Sequence, residues 1–458
     1  MSILDRIFGF CASLRLAVIV IVSIGVISAI GTIYEARYDA EVAQKLVYHS
    51  VYMYVIMGLL IINLVAVMID RWPWRPHHAG FVLAHVGIIV LLFGAWLTQR
   101  YGVDGSMVFD IGQERDSVTV RERDLMVYAS FDGSAMQGLF QSEVDFLKNP
   151  PSEKDPFIVQ LGAEQMRFVE YHQYAFRESE IVASSDAKDG PAVRFQLENP
   201  NINLTEWLRR DRARPSSEID LGPAKVVLSS GDVAASGRNE VILISAPGAG
   251  SVTYKIFGKD RGLRKTGTLT EAGVVETGWM GLKFRLLRHL PHAREVVKFQ
   301  PSETSSPLAS SAARFTFRGQ DYWIGLNSVL RIYLEDRVYL VSYGQRQLRL
   351  DFGLKLEKFR VGMYQGTERA ASYESEVRLP EGREVLISMN EPLHYRGYTF
   401  YQASFEKDET GKPTTSILSV NFDPGRWVKY LGSLLIVLGS IVLFYFKRVQ
   451  WLKAGKTL

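Results

Sequence analysis

The chain contains four uninterrupted apolar stretches that are long enough to cross a lipid bilayer. A membrane-spanning helix requires about 17–25 consecutive apolar residues. Stretches of this length lie at 16–33, 51–69, 79–98 and 430–446. The first is too long for the apolar core of a signal peptide, and the sequence GTIYEARYD after it is a poor cleavage site. We therefore expect it to be a retained membrane helix.

Between the third and fourth apolar stretches, polar and apolar residues alternate in many short segments. Examples are SVTVRERDLMVYASF, SVTYKIFG and TSILSVNF. A period of two, with β-branched and aromatic residues bounded by Gly and Pro, predicts antiparallel strands. The segment NLTEWLRRDRARP at 203–215 looks instead like a short helix or a surface excursion. The Ser/Pro/Ala-rich segment 300–314 is the best candidate for a linker or loop between two lobes.

These patterns predict a membrane α-helical bundle of four transmembrane helices plus a large, mostly β extracytoplasmic domain of the sandwich or curved-sheet type. Residues 1–100 form the N-terminal membrane part, with three helices. Residues 101–426 form the β-rich domain. Residues 427–458 form the fourth helix and a basic cytoplasmic tail.

The orientation is predicted from the basic residues near the helix ends, which favour the cytoplasmic side. The C-terminal tail is rich in Lys and Arg, and the loop between the second and third spans contains Arg71 and Arg75. The tail's basic residues are Lys447, Arg448, Lys453 and Lys456. We therefore expect a multi-pass protein of the plasma (inner) membrane with both termini cytoplasmic and the large domain periplasmic. Arg37 and Lys45 oppose this weakly, and neighbouring acidic residues offset them.

Composition excludes several classes of function. The 458 residues include 53 Lys and Arg and 49 Asp and Glu, for a net charge of +4, and no basic block suggests nucleic acid. The single cysteine, Cys11, excludes an intramolecular disulfide, a cysteine zinc cluster and a C-x-x-C redox pair. The C-x-x-C-H motif of covalent haem attachment is also absent, so the chain is not a c-type cytochrome.

The third span carries an ionisable side chain, His85, at membrane depth. Such residues are costly to bury and are functional-site candidates by default. On a helix, the small residues Gly80, Ala84, Gly87 and Gly94 share one stripe, which would allow another helix to approach closely. The opposite face contains His78, His85, Ile89, Leu92 and Trp96.

A neutral imidazole on a bulky apolar face suits a metalloporphyrin, whose iron it can coordinate. Three uses of His85 remain open at this point. It could be a haem ligand, or a structural residue hydrogen-bonded to a neighbouring helix, with Asn63 as one candidate partner. A proton relay is the weakest alternative, since no intramembrane Asp or Glu accompanies the histidine.

The other histidines give weaker signals. His77 and His78 lie beside Trp72 and Trp74, where interfacial anchoring is the simpler interpretation; alternatively, His78 helps a cofactor to enter from the inner side. His49, just before the second span, is interpreted as an interface residue. The remaining histidines have no metal-ligand spacing and are expected to be ordinary surface or core residues. They are His172, His289, His292 and His394.

Three segments together resemble the ResB/CcsB family of system II cytochrome c biogenesis proteins. They are Ser13–Glu35, Trp72–Gly102, and Leu350–Leu379 continuing into Ile387–Phe405. The last contains the specific core N-x-P-L-x-Y-x-G-Y-x-F-Y-Q. The order of spans and outer domain also resembles that family, whereas the region from about 120 to 310 is similar only in general character.

The resemblance implies a subunit that helps to carry haem b across the membrane for attachment to apocytochrome c. It implies a ResC/CcsA-type membrane partner, which carries the tryptophan-rich haem motif that this chain lacks. It implies that His85 is one axial ligand of intramembrane haem, with the opposing ligand from the partner. We expect His78 and Trp96, on the same face, to contribute weakly to that site.

The resemblance assigns no residue of this chain to the addition of client thiols to haem, so we expect it not to be catalytic alone. The motif residues of the outer domain, from Asn390 to Gln402, could hold the client or brace the partner. A turn role is the simpler interpretation for Pro392 and Gly397, and core or cross-strand packing for the tyrosines. The alternative function is a membrane-tethered scaffold or sensor whose β domain binds a protein and whose His85 is structural.

Overall fold

The computed structural model describes residues 3–131, 135–186, 188–211, 214–222, 224–245, 250–366, 370–407 and 412–454. For residue 370 and residues 446–454, only the backbone is described. The side chains of the basic C-terminal tail, on which the predicted orientation depends, are therefore not described. Lys456 lies outside the described residues altogether.

Six α-helices occur in the described part of the chain, and four of them are long and apolar enough to cross a membrane. All four predicted spans are confirmed as helices, and each extends a few residues beyond its apolar stretch. The helices are α1 (Ile3–Cys11), α2 (Leu14–Arg37), α3 (Ala40–Ala43), α4 (Val51–Asp70), α5 (Ala79–Tyr101) and α6 (Arg426–Ala454). A π-helical turn, Gln44–Tyr48, follows α3, and a 3-10 turn, Pro76–His78, precedes α5.

The region between α5 and α6 is built of strands, as the alternating pattern predicts. The first twelve are β1 (Val103–Asp110), β2 (Glu114–Ser130), β3 (Gln137–Glu143), β4 (Phe157–Leu161), β5 (Glu164–Ala183), β6 (Ala192–Asn199), β7 (Ile202–Arg209), β8 (Ser216–Asp220), β9 (Lys225–Ser229), β10 (Glu240–Ile244), β11 (Val252–Phe257) and β12 (Leu263–Leu269). The others are β13 (Val274–Glu276), β14 (Lys283–Leu290), β15 (Ala293–Pro301), β16 (Ala309–Phe317), β17 (Gln320–Gly325), β18 (Ser328–Tyr333), β19 (Val338–Met363), β20 (Ala370–Arg378), β21 (Glu384–Ile387), β22 (Leu393–Tyr395), β23 (Tyr398–Lys407) and β24 (Pro413–Phe422).

The chain divides into two compact units, 1–174 with 302–458, and 175–301. The first unit contains all the helices and a ten-stranded sheet in the order β21-β20-β19-β2-β1-β24-β23-β22, with β18 and β3 on side branches. Two apolar cores cover this sheet. One includes Phe109, Leu354 and Phe400, and the other joins β2 and β19 to β4, β5, β16 and β17 through Phe168 and Phe315.

The second unit is a β-sandwich inserted into the first along the chain. Its two sheets have the orders β13-β14-β6-β7 and β12-β11-β10-β9-β8. Side chains of both sheets, including Phe195, Phe284 and Val241, share one buried core. The sequence placed a lobe boundary within 300–314, and one boundary between the units does fall there, between residues 301 and 302.

One local prediction in this region was wrong, and a second was correct only in part. Residues 203–209 do not form a helix, because they lie in β7 and pair with β6 along its whole length. Their exposure is mixed, with Leu208 buried and Asn203, Thr205 and Glu206 exposed, in an edge strand of the sandwich. Most of 300–314 is also strand, since β15 ends at Pro301 and β16 begins at Ala309, and only the residues between them form a loop.

The membrane helices α5 and α6 are direct continuations of two paired strands. β1 starts two residues after α5 ends, and β24 ends four residues before α6 begins. β1 and β24 pair in antiparallel register from Val103–Phe422 to Asp110–Thr415. The register of the sheet therefore fixes the register in which α5, with His85, lies against α6.

Candidate functional site

The small-residue stripe of α5 forms a close helix–helix contact, as its sequence predicts. A Cβ added to Gly87 would lie 2.7 Å from the Ile436 backbone N and 2.9 Å from the Gly432 carbonyl O. Gly80 and Gly94 meet α6 in the same way, at Gly439 and near Gly425. Each helix thus contributes glycines seven residues apart, and only glycine allows the backbones to come so close.

The junction between this helix pair and the sheet is fixed by Asp423. Its carboxylate accepts a hydrogen bond from the Thr98 hydroxyl at 2.6 Å and one from Lys429 Nζ at 2.8 Å. Although burial opposes it, these two donors hold the pKa of Asp423 below its ordinary value. The carboxylate is therefore ionised at neutral pH and ties α5 to the beginning of α6.

His85 lies on the face of α5 that does not contact α6, and it is half-buried. Its Nδ1 is 2.8 Å from the carbonyl O of Phe81, one turn earlier on the helix. A carbonyl oxygen can only accept a hydrogen bond, so this contact requires the proton to be on Nδ1. The lone pair is then on Nε2, for which no hydrogen-bond partner occurs among the described residues.

Two further groups lie beside His85 that the sequence did not indicate. The Phe81 ring packs against the imidazole in a tilted arrangement, with centroids 3.9 Å apart and an interplanar angle of 41°. The guanidinium of Arg71, at the end of α4, lies 4.0 Å from the centre of the Phe81 ring. The site therefore combines an imidazole with an open nitrogen, an aromatic ring and a nearby fixed cation.

His85 is not hydrogen-bonded to Asn63, the candidate partner for a structural role. The Asn63 side chain, 4% exposed, donates instead to the carbonyl oxygens of Cys11 and Ser13, at 2.7 and 3.2 Å. Those carbonyls lie at the break between α1 and α2, where helical bonding is interrupted. Asn63 thus satisfies a helix end and leaves His85 without a partner on α4.

The three residues predicted for one helix face are spread along it. His78 lies in the turn before α5, where its Nδ1 accepts a hydrogen bond from the Arg75 N–H at 3.3 Å, and its ring contacts His77. At 1.5 Å rise per residue, His78 is about 10 Å from His85 along the axis, and Trp96 about 16 Å in the other direction. The structure therefore does not bring His78 and Trp96 together with His85.

Trp96 lines a cavity of about 1050 Å³ in the first unit, together with Ile89 and Leu92 of the predicted face. The cavity is bounded by the π-helical turn, α4, α5, the beginning of β1, a part of β2 and the end of β24. We call it the α4–α5 cavity. His49 also lines it, although His49 was interpreted from the sequence as an interface residue only.

The histidines of the β region contact neighbouring side chains and backbone. His289 is 7% exposed and its Nε2 is 2.9 Å from the Ser245 hydroxyl, and burial lowers its pKa. His172 stacks on Trp323, and His292 and His394 contact Asp189 and Thr399. No group of three metal-ligating His, Cys, Asp or Glu residues occurs in the part of the chain that the structure describes.

The specific motif of the β region builds the sheet itself. Tyr395 and Tyr398 pair across a two-residue turn, Arg396–Gly397, in which both residues have positive φ, 48° and 85°. This is the geometry of a type I′ hairpin, for which glycine is favoured. Gln402 is buried and accepts from the Ser375 hydroxyl at 2.6 Å. The expected turn role of Gly397 is therefore confirmed.

Four membrane-length helices joined to a large open sheet define a multi-pass membrane protein with a mostly β domain. Residues 332–417 match the ResB-like family. Protein NrfI of Wolinella succinogenes is 36% identical to this chain over 115 residues, which cover 24% of the chain and 12% of NrfI. The segment that matches this family runs from the end of β18 into β24.

Proposed function

We propose that this chain is one subunit of a system II cytochrome c synthase, which carries haem across the membrane and presents it for covalent attachment to apocytochrome c. It acts with a ResC/CcsA-type membrane partner, and haem b is the cargo that the two proteins share. The match of residues 332–417 to the ResB-like family supports the pathway. The geometry of His85 supports the role of this chain within it.

The observation that best supports this proposal is the hydrogen bond between His85 Nδ1 and the Phe81 carbonyl at 2.8 Å. Histidines that bind metals usually donate their second ring N–H to a carbonyl or carboxylate, which fixes the tautomer and the ring orientation. Here that bond is made within α5 itself. His85 is therefore oriented with Nε2 available to coordinate haem iron, without any rearrangement of the helix.

Arg71 and Phe81 supply the rest of the site in this proposal. The flat Phe81 ring beside the imidazole gives the apolar macrocycle a surface to lie against. Arg71, fixed over that ring, is a cation that can pair with a haem carboxylate. His78, at the end of α5, is assigned to haem entry, and Trp96, at the opposite end, to its exit.

One imidazole leaves the opposite axial position of the iron open. The second ligand is assigned to a histidine of the partner, and two imidazoles together keep the iron bound while haem crosses the apolar region. The thiols of the client then add to haem on the outer side. No residue of this chain is assigned to that addition, which fits a subunit that needs its partner.

The basic residues of the α4–α5 loop support an orientation with that loop in the cytoplasm. With four spans, both termini are then cytoplasmic and the β region is periplasmic. Haem received at the His78 end of α5 moves towards the β region, where a secreted apocytochrome is available.

The experiment is to co-express the chain with its partner, purify the pair and record the absorption spectrum of the reduced complex. Changing His85→Ala removes the ligand, so we expect the haem bands to fall sharply and to return when imidazole is added. His77→Ala is the matched control, because His77 is exposed at the end of the same helix. Equal haem in all three proteins would return His85 to a structural role and favour the scaffold or sensor function.

A further inference from the structure

We infer that the α4–α5 cavity is a second haem-binding position, in which His49 coordinates the iron after haem has left His85. The inference rests on the proposed function, because it takes haem as the cargo. It adds a site, a ligand residue and a direction of movement to that function.

The cavity has both kinds of surface that a haem requires, one apolar and one polar. Its membrane side is apolar and its opposite rim is polar. The apolar wall consists of Met53, Met57, Ile61, Ile89, Leu92, Phe93 and Trp96. A volume of about 1050 Å³ is at the upper end of what small-molecule sites usually offer. An apolar macrocycle with carboxylates at one edge can place its body on this wall and its charged edge at the rim.

Three cations lie at the rim, and each already has a carboxylate neighbour. Lys45 is 3.3 Å from Asp145, Arg121 is 3.4 Å from Asp104, and Lys429 is 2.8 Å from Asp423. In the Arg121–Asp104 pair both side chains are about 60% exposed, and such pairs contribute little to stability. Arg121 can therefore exchange its partner for a haem carboxylate, whereas Lys429 stays paired with Asp423 at the helix junction.

His49 is held at the top of this cavity by the helices on both sides of it. Its backbone N–H bonds to the Gln44 carbonyl at 2.8 Å, which closes the π-helical turn. The next residue, Ser50, caps α4 by accepting from the Met53 N–H at 3.3 Å. The backbone of His49 is thus fixed between two helix ends, which positions its side chain at the cavity.

The His49 imidazole is suited to coordination. Its ring has no hydrogen-bond partner within the described residues. Burial, and secondly the charge of Lys148, lower its pKa, so the ring is neutral at pH 7. A neutral imidazole can use a nitrogen lone pair to bind iron, which a protonated ring cannot do.

The cavity also lies directly along the path from His85. Positions 85, 89, 92 and 96 share one face of α5, because they are spaced by four, three and four residues. His85 is one turn before Ile89, the first residue of α5 to line the cavity. Haem released from His85 towards the β region therefore enters the cavity along a continuous helix face.

The test isolates the cavity by using the full-length chain with His85→Ala, in nanodiscs of phosphatidylethanolamine and phosphatidylglycerol. Reduced haem b is the probe, and the signal is the high-spin spectrum of ferrous haem with one imidazole ligand, followed as a binding isotherm. We expect saturable binding at one haem per chain. Adding His49→Ala should weaken it at least about tenfold, and free imidazole should restore it.

A second variant fills the space and leaves the ligand in place. Gly58 lines the cavity, and a Cβ added to it has nothing within 4 Å, so Gly58→Leu projects into the cavity without a backbone clash. It should abolish binding, and imidazole should not restore it. The matched control is Gly25→Leu on α2, which is equally unobstructed and does not line the cavity, and which should bind haem normally.

Identical isotherms in all these variants would overturn the inference. So would a loss in Gly58→Leu without a loss in His49→Ala, because the cavity would then take an amphiphile such as a phospholipid without iron coordination. Haem made in the cell reaches the cavity through His85, so the purified His85→Ala pair should still lose its haem. Here haem is added directly to chains that all lack His85, so these outcomes are independent of the test of the proposed function. That function fails only if His85→Ala leaves haem in the purified pair unchanged.

Discussion

At the residue scale, Arg123 connects the segment between α2 and α4 to the β region. It is 6% exposed, and its Nη2 donates to both carboxylate oxygens of Glu41 at 2.9 Å. Its Nη1 donates to the Tyr171 hydroxyl at 2.8 Å. Nη1 is also 3.3 Å from the Ser311 and Tyr343 hydroxyls, so this buried guanidinium specifies one position of the segment that carries His49.

We expect Arg123→Met to release that segment. Removing Arg123 leaves the Glu41 carboxylate with Lys45 alone, at 3.3 Å, and breaking a buried ion pair typically costs up to about 3–5 kcal/mol. Hydrogen exchange of residues 39–48 in the full-length protein measures the local opening free energy and should show a loss of that order. Arg349→Met is the control, because Arg349 pairs with Asp116 on an exposed surface, where its side chain is 82% exposed. Equal protection of the segment in both variants would contradict the prediction.

At the element scale, the α5–α6 contact is the strongest feature of the membrane part. The glycines of α5 and α6 face one another's backbones at three levels, and the paired strands β1 and β24 hold the helices in register. This arrangement turns the opposite face of α5, with His85, away from α6. The exposed side of that face is then available to a membrane partner.

Gly87→Leu should force the two helices apart, because even its Cβ would lie 2.7 Å from the Ile436 backbone N. Overpacking of this kind costs about 1–3 kcal/mol or more, and backbone cannot yield as a flexible side chain can. We expect a lower midpoint of thermal unfolding of the purified protein in detergent. Gly25→Leu makes the same change on α2 where nothing lies within 4 Å, and it should leave the midpoint unchanged. A similar decrease in both variants would show that the contact is not specific.

The sequence predicted the four helices because an apolar stretch of membrane length has few alternatives. It also predicted the glycine stripe of α5, since helical periodicity depends only on spacing. It could not identify α6 as the neighbour, because that choice is made by the pairing of β1 with β24, more than 300 residues apart. Residues 203–209 were misread because one edge strand with mixed exposure has no clean period of two.

The candidate site was also predictable only in part. His85 was apparent because an ionisable residue in an apolar stretch is conspicuous. Arg71 and Phe81 were not, since their contact with each other and with His85 depends on the turn between α4 and α5. His49 lines a cavity only because α4, α5 and the β region pack together. Such contacts between distant segments cannot be predicted from a local sequence pattern.

At the scale of the whole molecule, one unit contains the membrane helices and the sheet that continues them, and another, 175–301, is inserted within it. The inserted sandwich begins in the middle of β5, where no change in composition marks a boundary. The segment matched by the family lies entirely within the first unit. That segment contains β19 and the strands from β20 to β23, which belong to the sheet that continues into α5 and α6.

The side of the membrane on which this sheet lies decides whether haem can be delivered to a secreted client. In a Cys11→Ser background, Leu308→Cys places a thiol on the β region at a side chain that is 83% exposed. Arg75→Cys places one in the exposed α4–α5 loop. The basic loop should be cytoplasmic, so an impermeant maleimide added to sealed right-side-out vesicles should label position 308 at once and position 75 only after permeabilisation. Labelling of position 75 alone would put the β region in the cytoplasm and exclude delivery to an exported apocytochrome. Labelling of both would mean that the segments between them do not cross the membrane as assigned, and with that the route from His85 to the β region would fail.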